Sequence, residues 1–175
     1  CEAGTFSLAG ASICTECASG SYQSLAGQTS CSPCPAGSYC LARATAPTAC
    51  SPGSFSSSGG ASSCTPCAAG SYQSLSSSTS CVTCPPGSYC EAGAAAPSAC
   101  SAGTYRASTG AQASSDCITC APGYACAAGA TEQVACAPGT YDTGPSSHVC
   151  TKCAAGKYQD LEASTTFNDC TPGYY

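Results

Sequence analysis

The apolar positions of this chain follow no helical period. No segment carries the spacing of an amphipathic helix, and no run of about 18 apolar residues offers a membrane span. What recurs is one aromatic ring in a background of small and polar residues: Phe6, Tyr22, Tyr39, Phe55, Tyr72, Tyr89, Tyr105, Tyr141 and Tyr158. Each ring stands two residues after a glycine, and each of those glycines (Gly4, Gly20, Gly37, Gly53, Gly70, Gly87, Gly103, Gly139 and Gly156) stands three residues after a cysteine. The pattern predicts cysteine-bounded loops with very short strands and little or no helix. A chain that turns tightly beside a cystine needs a residue that tolerates positive φ or close backbone approach, and glycine does both. The ring beside the turn is then expected to cover a neighbouring disulfide and give each loop a small core. Tyr174 and Tyr175 fall outside this argument.

The loops repeat. Cys14, Cys17, Cys31, Cys34, Cys40 and Cys50 recur as Cys64, Cys67, Cys81, Cys84, Cys90 and Cys100, each displaced by 50 residues, and ASGSYQSLAGQTS (18 to 30) returns as AAGSYQSLSSSTS (68 to 80). A fixed period of this length reads as an array of stacked units. Three kinds of module alternate. One spans Cys1 to Cys14, Cys50 to Cys64, Cys100 to Cys117 and Cys136 to Cys150; a second spans Cys17 to Cys31 and Cys67 to Cys81; a short third spans Cys34 to Cys40, Cys84 to Cys90 and Cys120 to Cys126. The domain organisation that follows is a cysteine-rich repeat at 1–49, another at 50–99, a shortened repeat at 100–135 that skips the second kind of module, and a fourth at 136–175. Each module is expected to contact only its neighbours in the stack.

The segments CASGSYQSLAGQTSCSPCPAGSY (17 to 39), CAAGSYQSLSSSTSCVTCPPGSY (67 to 89) and CAAGKYQDLEASTTFNDCTPGYY (153 to 175) resemble the ephrin-receptor-like cysteine-rich repeat. They are more distantly similar to the modules of tumour-necrosis-factor receptors. The resemblance implies a small disulfide-rich repeat fold, an elongated ladder of loop modules. It brings no common catalytic residues, since the repeat occurs in receptors, adhesion proteins and surface proteins alike.

The recurring C-x-x-C admits three chemistries. A four-cysteine zinc site fits the 13 residues between Cys17 and Cys31, but the later part of the chain breaks the set: Cys117-x-x-Cys120 is followed by single cysteines at 126 and 136, and Cys150-x-x-Cys153 by Cys170. A redox C-x-x-C belongs at the start of a helix in a βαβ unit, which the pattern lacks. A sequential disulfide ladder uses more of the cysteines: Cys1–Cys14, Cys17–Cys31, Cys34–Cys40, Cys50–Cys64, Cys67–Cys81, Cys84–Cys90, Cys100–Cys117, Cys120–Cys126 and Cys136–Cys150. The C-x-x-C is then a junction, closing one loop and opening the next. Spacing alone does not settle connectivity. Cys153 and Cys170 stand apart, because Phe167 occupies the place of the expected closing cysteine. Local pairing of these two, a cross-link to another chain and an error at residue 167 are the three explanations, with the cross-link the least favoured.

Composition narrows the function. Twenty cysteines in 175 residues, no Trp, no Met and three Phe leave little for an ordinary core and point to a secreted, oxidising setting. The four basic residues Arg43, Arg106, Lys152 and Lys157 are scattered, so no nucleic-acid surface is expected. His148 lacks a triad setting, and the nine acidic residues, spread singly from Glu2 to Asp169, form no calcium loop and read as solvated surface. No cofactor, no metal and no enzymatic activity are expected. The hydroxyl-rich loops are read as surface, with Ser56, Ser57, Ser58, Ser76, Ser77 and Ser78 as candidate O-glycosylation sites. Charged residues make up only 7%, against about 25 to 35% for ordinary soluble surfaces. The expected role is therefore a structural segment of an extracellular filament, hair or coat protein, partnered by itself or by other extracellular structural proteins. The alternative is the stalk of a receptor or adhesion ectodomain that binds a protein ligand. The chain reads as part of something longer, with no membrane span of its own.

Overall fold

The computed structural model describes residues 1–171, so Tyr174 and Tyr175 lie outside the described residues. Among those residues twenty two-residue strands pair into ten two-stranded sheets, and the one helical element is a 3-10 turn at Ser114–Asp116. Each sheet is the base of one loop. The residues after the glycine form the outgoing strand, as in Thr5–Phe6, Ser21–Tyr22 and Ser38–Tyr39; the returning strands are Thr15–Glu16, Ser32–Pro33 and Thr48–Ala49. Pairing is antiparallel, with Thr5 opposite Glu16, Ser21 opposite Pro33 and Ser38 opposite Ala49. In the long modules the two residues inside the C-x-x-C are this returning strand. A two-residue sheet is far too short to persist alone, so its stability comes from cross-links and from the modules around it.

The chain divides into two compact units, Cys1–Val82 with Glu91–Ala96, and Thr83–Cys90 with Pro97–Tyr175. Both use the same backbone bonds. In the first, Gly20 N–H donates to Cys40 O (2.8 Å), Gln23 N–H to Ala44 O (3.1 Å) and Arg43 N–H to Cys17 O (2.8 Å). In the second, Gly103 N–H donates to Cys126 O (2.8 Å), Arg106 N–H to Ala130 O (3.0 Å) and Gly129 N–H to Cys100 O (2.8 Å). Within each unit, such backbone bonds sew consecutive modules together. Parallel bridges between Tyr22 and Ala44 and between Tyr105 and Ala130 belong to the same seam.

The expectation that modules touch only their immediate neighbours is corrected here. The turn residue whose N–H bonds the preceding module reaches further with its carbonyl: Arg43 O lies against Gly4, Gly60 O against Gly20, Ser77 O against Gly37, Gly129 O against Gly87 and Ser146 O against Gly103. Each of these contacts spans one intervening module. A Cβ on any of these glycines would sit closer than 3.0 Å to a backbone oxygen. Close approach and positive φ (Gly37, 78°) therefore both require glycine there. The skipped module of the third repeat does not interrupt the pattern, because short and long modules present the same glycine and turn positions to the seam. The extra residues of the Cys100–Cys117 loop, 17 apart against 14 for Cys50–Cys64, are taken up by the 3-10 turn.

The core is cystine. Cys17, Cys34, Cys50, Cys67, Cys84, Cys100, Cys120 and Cys136, which open modules, are buried, as are Cys40, Cys90 and Cys126, which close the short ones. The rings are only half-buried, and Tyr158 is exposed. The expectation of a one-ring core per module is thereby corrected. Burial is concentrated at sulfur because the loops are too short to close a side-chain layer over an aromatic.

Candidate functional surface

The third residue after the turn glycine decides how most of the loops are held. In the short modules it is cysteine, and the bonds Cys34–Cys40, Cys84–Cys90 and Cys120–Cys126 form there. In the second kind of module it is glutamine. Gln73 Nε2 donates to Ser80 O (2.7 Å) while its Oε1 accepts from Leu75 N–H (2.9 Å). Gln23 makes the same pair of bonds to Ser30 O and Leu25 N–H, and Gln159 to Thr166 O and Leu161 N–H. The YQSL and YQDL motifs are thus loop clamps, a role the sequence reading missed, although the repetition of Gln at 23, 73 and 159 was the available signal. A second missed role belongs to the hydroxyl between glycine and ring. Thr5, Ser21, Ser54, Ser71, Thr104 and Thr140 each donate to the carbonyl three residues back, bracing the turn.

Elsewhere the inward position is filled less well. Arg106 reaches Asp116 O through an Nη1 bond (3.1 Å) and leaves its Nε without a partner. Asp116 in turn accepts from Gln112 N–H (2.7 Å) and Ala113 N–H (3.2 Å). These backbone donors, with a smaller contribution from Arg106, hold its carboxyl below the ordinary carboxylate range. Asp142, 8% exposed, has an Oδ2 without any hydrogen-bond partner. The expectation that the acidic residues are all solvated surface is corrected at this residue: Asp142 takes the same inward position as the buried Ser56, Gln73 and Gln159.

The structure joins Cys1 to Cys14, Cys17 to Cys31, Cys50 to Cys64, Cys67 to Cys81, Cys100 to Cys117 and Cys136 to Cys150, besides the three short-loop bonds. Cys153 and Cys170 are free thiols, both partly exposed. Cys170 N–H donates to Gly156 O (2.9 Å), the bond that Cys34 makes to Gly20 O, so Cys170 sits where a module opens. Phe167 sits where a loop closes. Its ring meets Tyr141 edge-on at 4.9 Å, with Lys157 Nζ 5.1 Å from its centroid. Aromatic and cation–π contacts stand here in place of a cystine.

On the outside, Leu8, Ile13, Leu25, Leu41, Leu75, Val134, Val149 and Leu161 are exposed. Ion pairs are few: Arg43 contacts Glu2 and, at 3.5 Å, Glu16, and Lys157 contacts Asp169. Such exposed pairs contribute little. Ser57, Ser58, Ser76 and Ser77 are exposed and Ser78 is half-buried, whereas Ser56 is 5% exposed and donates to Ser58 O (3.1 Å). Ser56 therefore leaves the set of surface hydroxyls, for the same reason that Asp142 is buried. His148 is exposed. Among the described residues no three His, Cys, Asp or Glu side chains form a group able to hold a metal, and no helix is long and apolar enough to cross a membrane.

The family model described as tyrosine-protein kinase ephrin type A/B receptor-like matches residues 4–50 and 53–96. These two segments make up just over half of the chain, and each begins on the glycine of a first-kind module and covers most of one period. Comparison with curated proteins gives no match. Cysteine-rich repeats of this kind are non-catalytic extracellular modules, and nine disulfides in so short a chain suit an oxidising, extracellular setting.

Proposed function

Because the chain belongs to the ephrin type A/B receptor-like family of cysteine-rich repeats, we propose that it is a non-catalytic structural segment of an extracellular filament, hair or coat protein. The observation that carries this reading is the surface. Charged residues are 7% of the chain, and aliphatic side chains such as Leu25, Leu75 and Leu161 are left exposed on loops whose backbone is clamped beneath them. A neutral surface with rigidly presented apolar side chains favours association over free tumbling. The partner is a second copy or another charge-poor extracellular protein. The exposed hydroxyls Ser57, Ser58, Ser76 and Ser77, with the half-buried Ser78, are acceptors for O-linked sugar in the same reading.

The second reading, the stalk of a receptor or adhesion ectodomain, draws on the family's description as receptor-like. Electron microscopy of the native material together with intact mass and sedimentation separates the two. Assembly predicts association that grows with concentration. A monodisperse monomer of bare sequence mass, soluble at high concentration, would overturn it and leave the stalk.

A further inference from the structure

The nine disulfides fall into two classes by access. In Cys34–Cys40, Cys84–Cys90 and Cys120–Cys126 both cysteines are at most 1% exposed. In the six long loops at least one end reaches solvent. Cys14 is exposed, and Cys31, Cys64, Cys81, Cys117 and Cys150 are partly so, while the partners of these five (Cys17, Cys50, Cys67, Cys100 and Cys136) are buried. The asymmetry follows from the fold. An opening cysteine lies on the seam between modules, with its carbonyl or N–H in the ladder, whereas a long-loop closing cysteine lies at the outer end of the returning strand. A short-loop closing cysteine occupies the inward position three residues after the glycine, where both ends meet in the core.

We propose that the closing cysteines of the long loops are thiol–disulfide exchange sites for external thiols, and that the three short-loop disulfides are permanent staples. Exchange requires a thiolate to reach one sulfur of the pair. An external thiolate attacks Sγ of Cys64. A new S–S bond forms between them as the Cys50–Cys64 bond breaks, and the electron pair leaves on Cys50 Sγ, which takes a proton from solvent. A second external thiolate attacks the external sulfur of the mixed disulfide and releases Cys64 as a thiolate. Two external thiols are oxidised to their disulfide, and one protein disulfide becomes two thiols.

The short loops resist for two reasons: neither sulfur is accessible, and cysteines only 6 residues apart re-close faster than those 14 apart. Each repeat that contains a short module keeps one staple through the exchange. The backbone seam, which passes through the opening cysteines and the glycines, keeps its donors and acceptors, because no backbone group takes part in the chemistry. The result is a chain whose outer loops respond to thiols while its axis stays stapled.

The test uses the natural sequence and needs no variant. Cys153 and Cys170 are first blocked with iodoacetamide, the protein is exposed to reduced glutathione in increasing amounts under native conditions, and new thiols are trapped with N-ethylmaleimide and located by peptide mass. Label is expected at both cysteines of the six long loops. Cys34, Cys40, Cys84, Cys90, Cys120 and Cys126 should acquire it at least about tenfold more slowly, with hydrogen-exchange protection at Gly20 and Gly103 retained. Labelling of all nine disulfides at one rate, or of the short loops first, would overturn the proposal. So would loss of that protection together with the first long-loop bond.

Discussion

The glycines that meet the carbonyl of the next-but-one module separate two effects that are usually confounded. Gly37 has a φ of 78° with the Ser77 carbonyl where a Cβ would go; Gly10 has a φ of 81° with nothing within 4 Å. Gly10→Ala pays only for the left-handed backbone, about 1 to 2 kcal/mol. Gly37→Ala must also displace a backbone oxygen held in the seam, and a loss at least about 2 kcal/mol larger is expected in urea or thermal denaturation. Equal losses would show that the contact contributes nothing. Asp142 gives a prediction of the opposite sign. Its place in the loop is the one Gln23, Gln73 and Gln159 use for their clamps, yet its Oδ2 has no partner. Asp142→Gln supplies both a donor and an acceptor where an oxygen now lacks a partner, so a gain of about 1 kcal/mol is expected from the same measurement.

Within one module, the returning strand and the loop end are set by the spacing of opening and closing positions. Phe167 lies 14 residues after Cys153, the separation that Cys17–Cys31, Cys50–Cys64 and Cys67–Cys81 bridge. The strands Lys157–Tyr158 and Asn168–Asp169 pair as in the other modules, with Lys157 opposite Asp169, although no disulfide closes this loop. The element therefore forms from register and neighbours, and the cross-link adds stability to it. Phe167→Cys is expected to join Cys153, lower the free-thiol titre from two to one and stabilise the chain by about 3 kcal/mol. The cost is the contact of Phe167 with Tyr141. A titre of three would place residue 167 out of bonding reach of Cys153.

In the whole molecule, contacts that skip a module make the stack more cooperative than one joined only between neighbours. Gly53→Ala pushes against Gly93 O, two modules on, within the first unit. Hydrogen exchange should quicken at Gly93, whose N–H bonds Cys67 O, and at Gln73, whose N–H bonds Ala94 O, by at least about tenfold. The amide of Gly27, bonded to Cys1 O at the far side of the same unit, should be unchanged. A change confined to the adjacent module opened by Cys67 would restore the nearest-neighbour picture.

Spacing of cysteine, glycine and ring determined the number of modules, their three kinds, their near absence of helix and the family, because loops closed over 6 to 17 residues leave the backbone few alternatives. The same local pattern marked the glycines, since positive φ is a property of one residue and its turn. It did not reveal which atoms those glycines meet, that Ser56 and Asp142 point inward, or that the core is sulfur and the rings only border it. Those outcomes depend on residues about 40 positions apart, as Gly4 and Arg43 are, brought together by a seam of backbone bonds. Backbone groups are alike at every residue, so their pairing leaves no mark in the sequence, and only the stacked structure decides it.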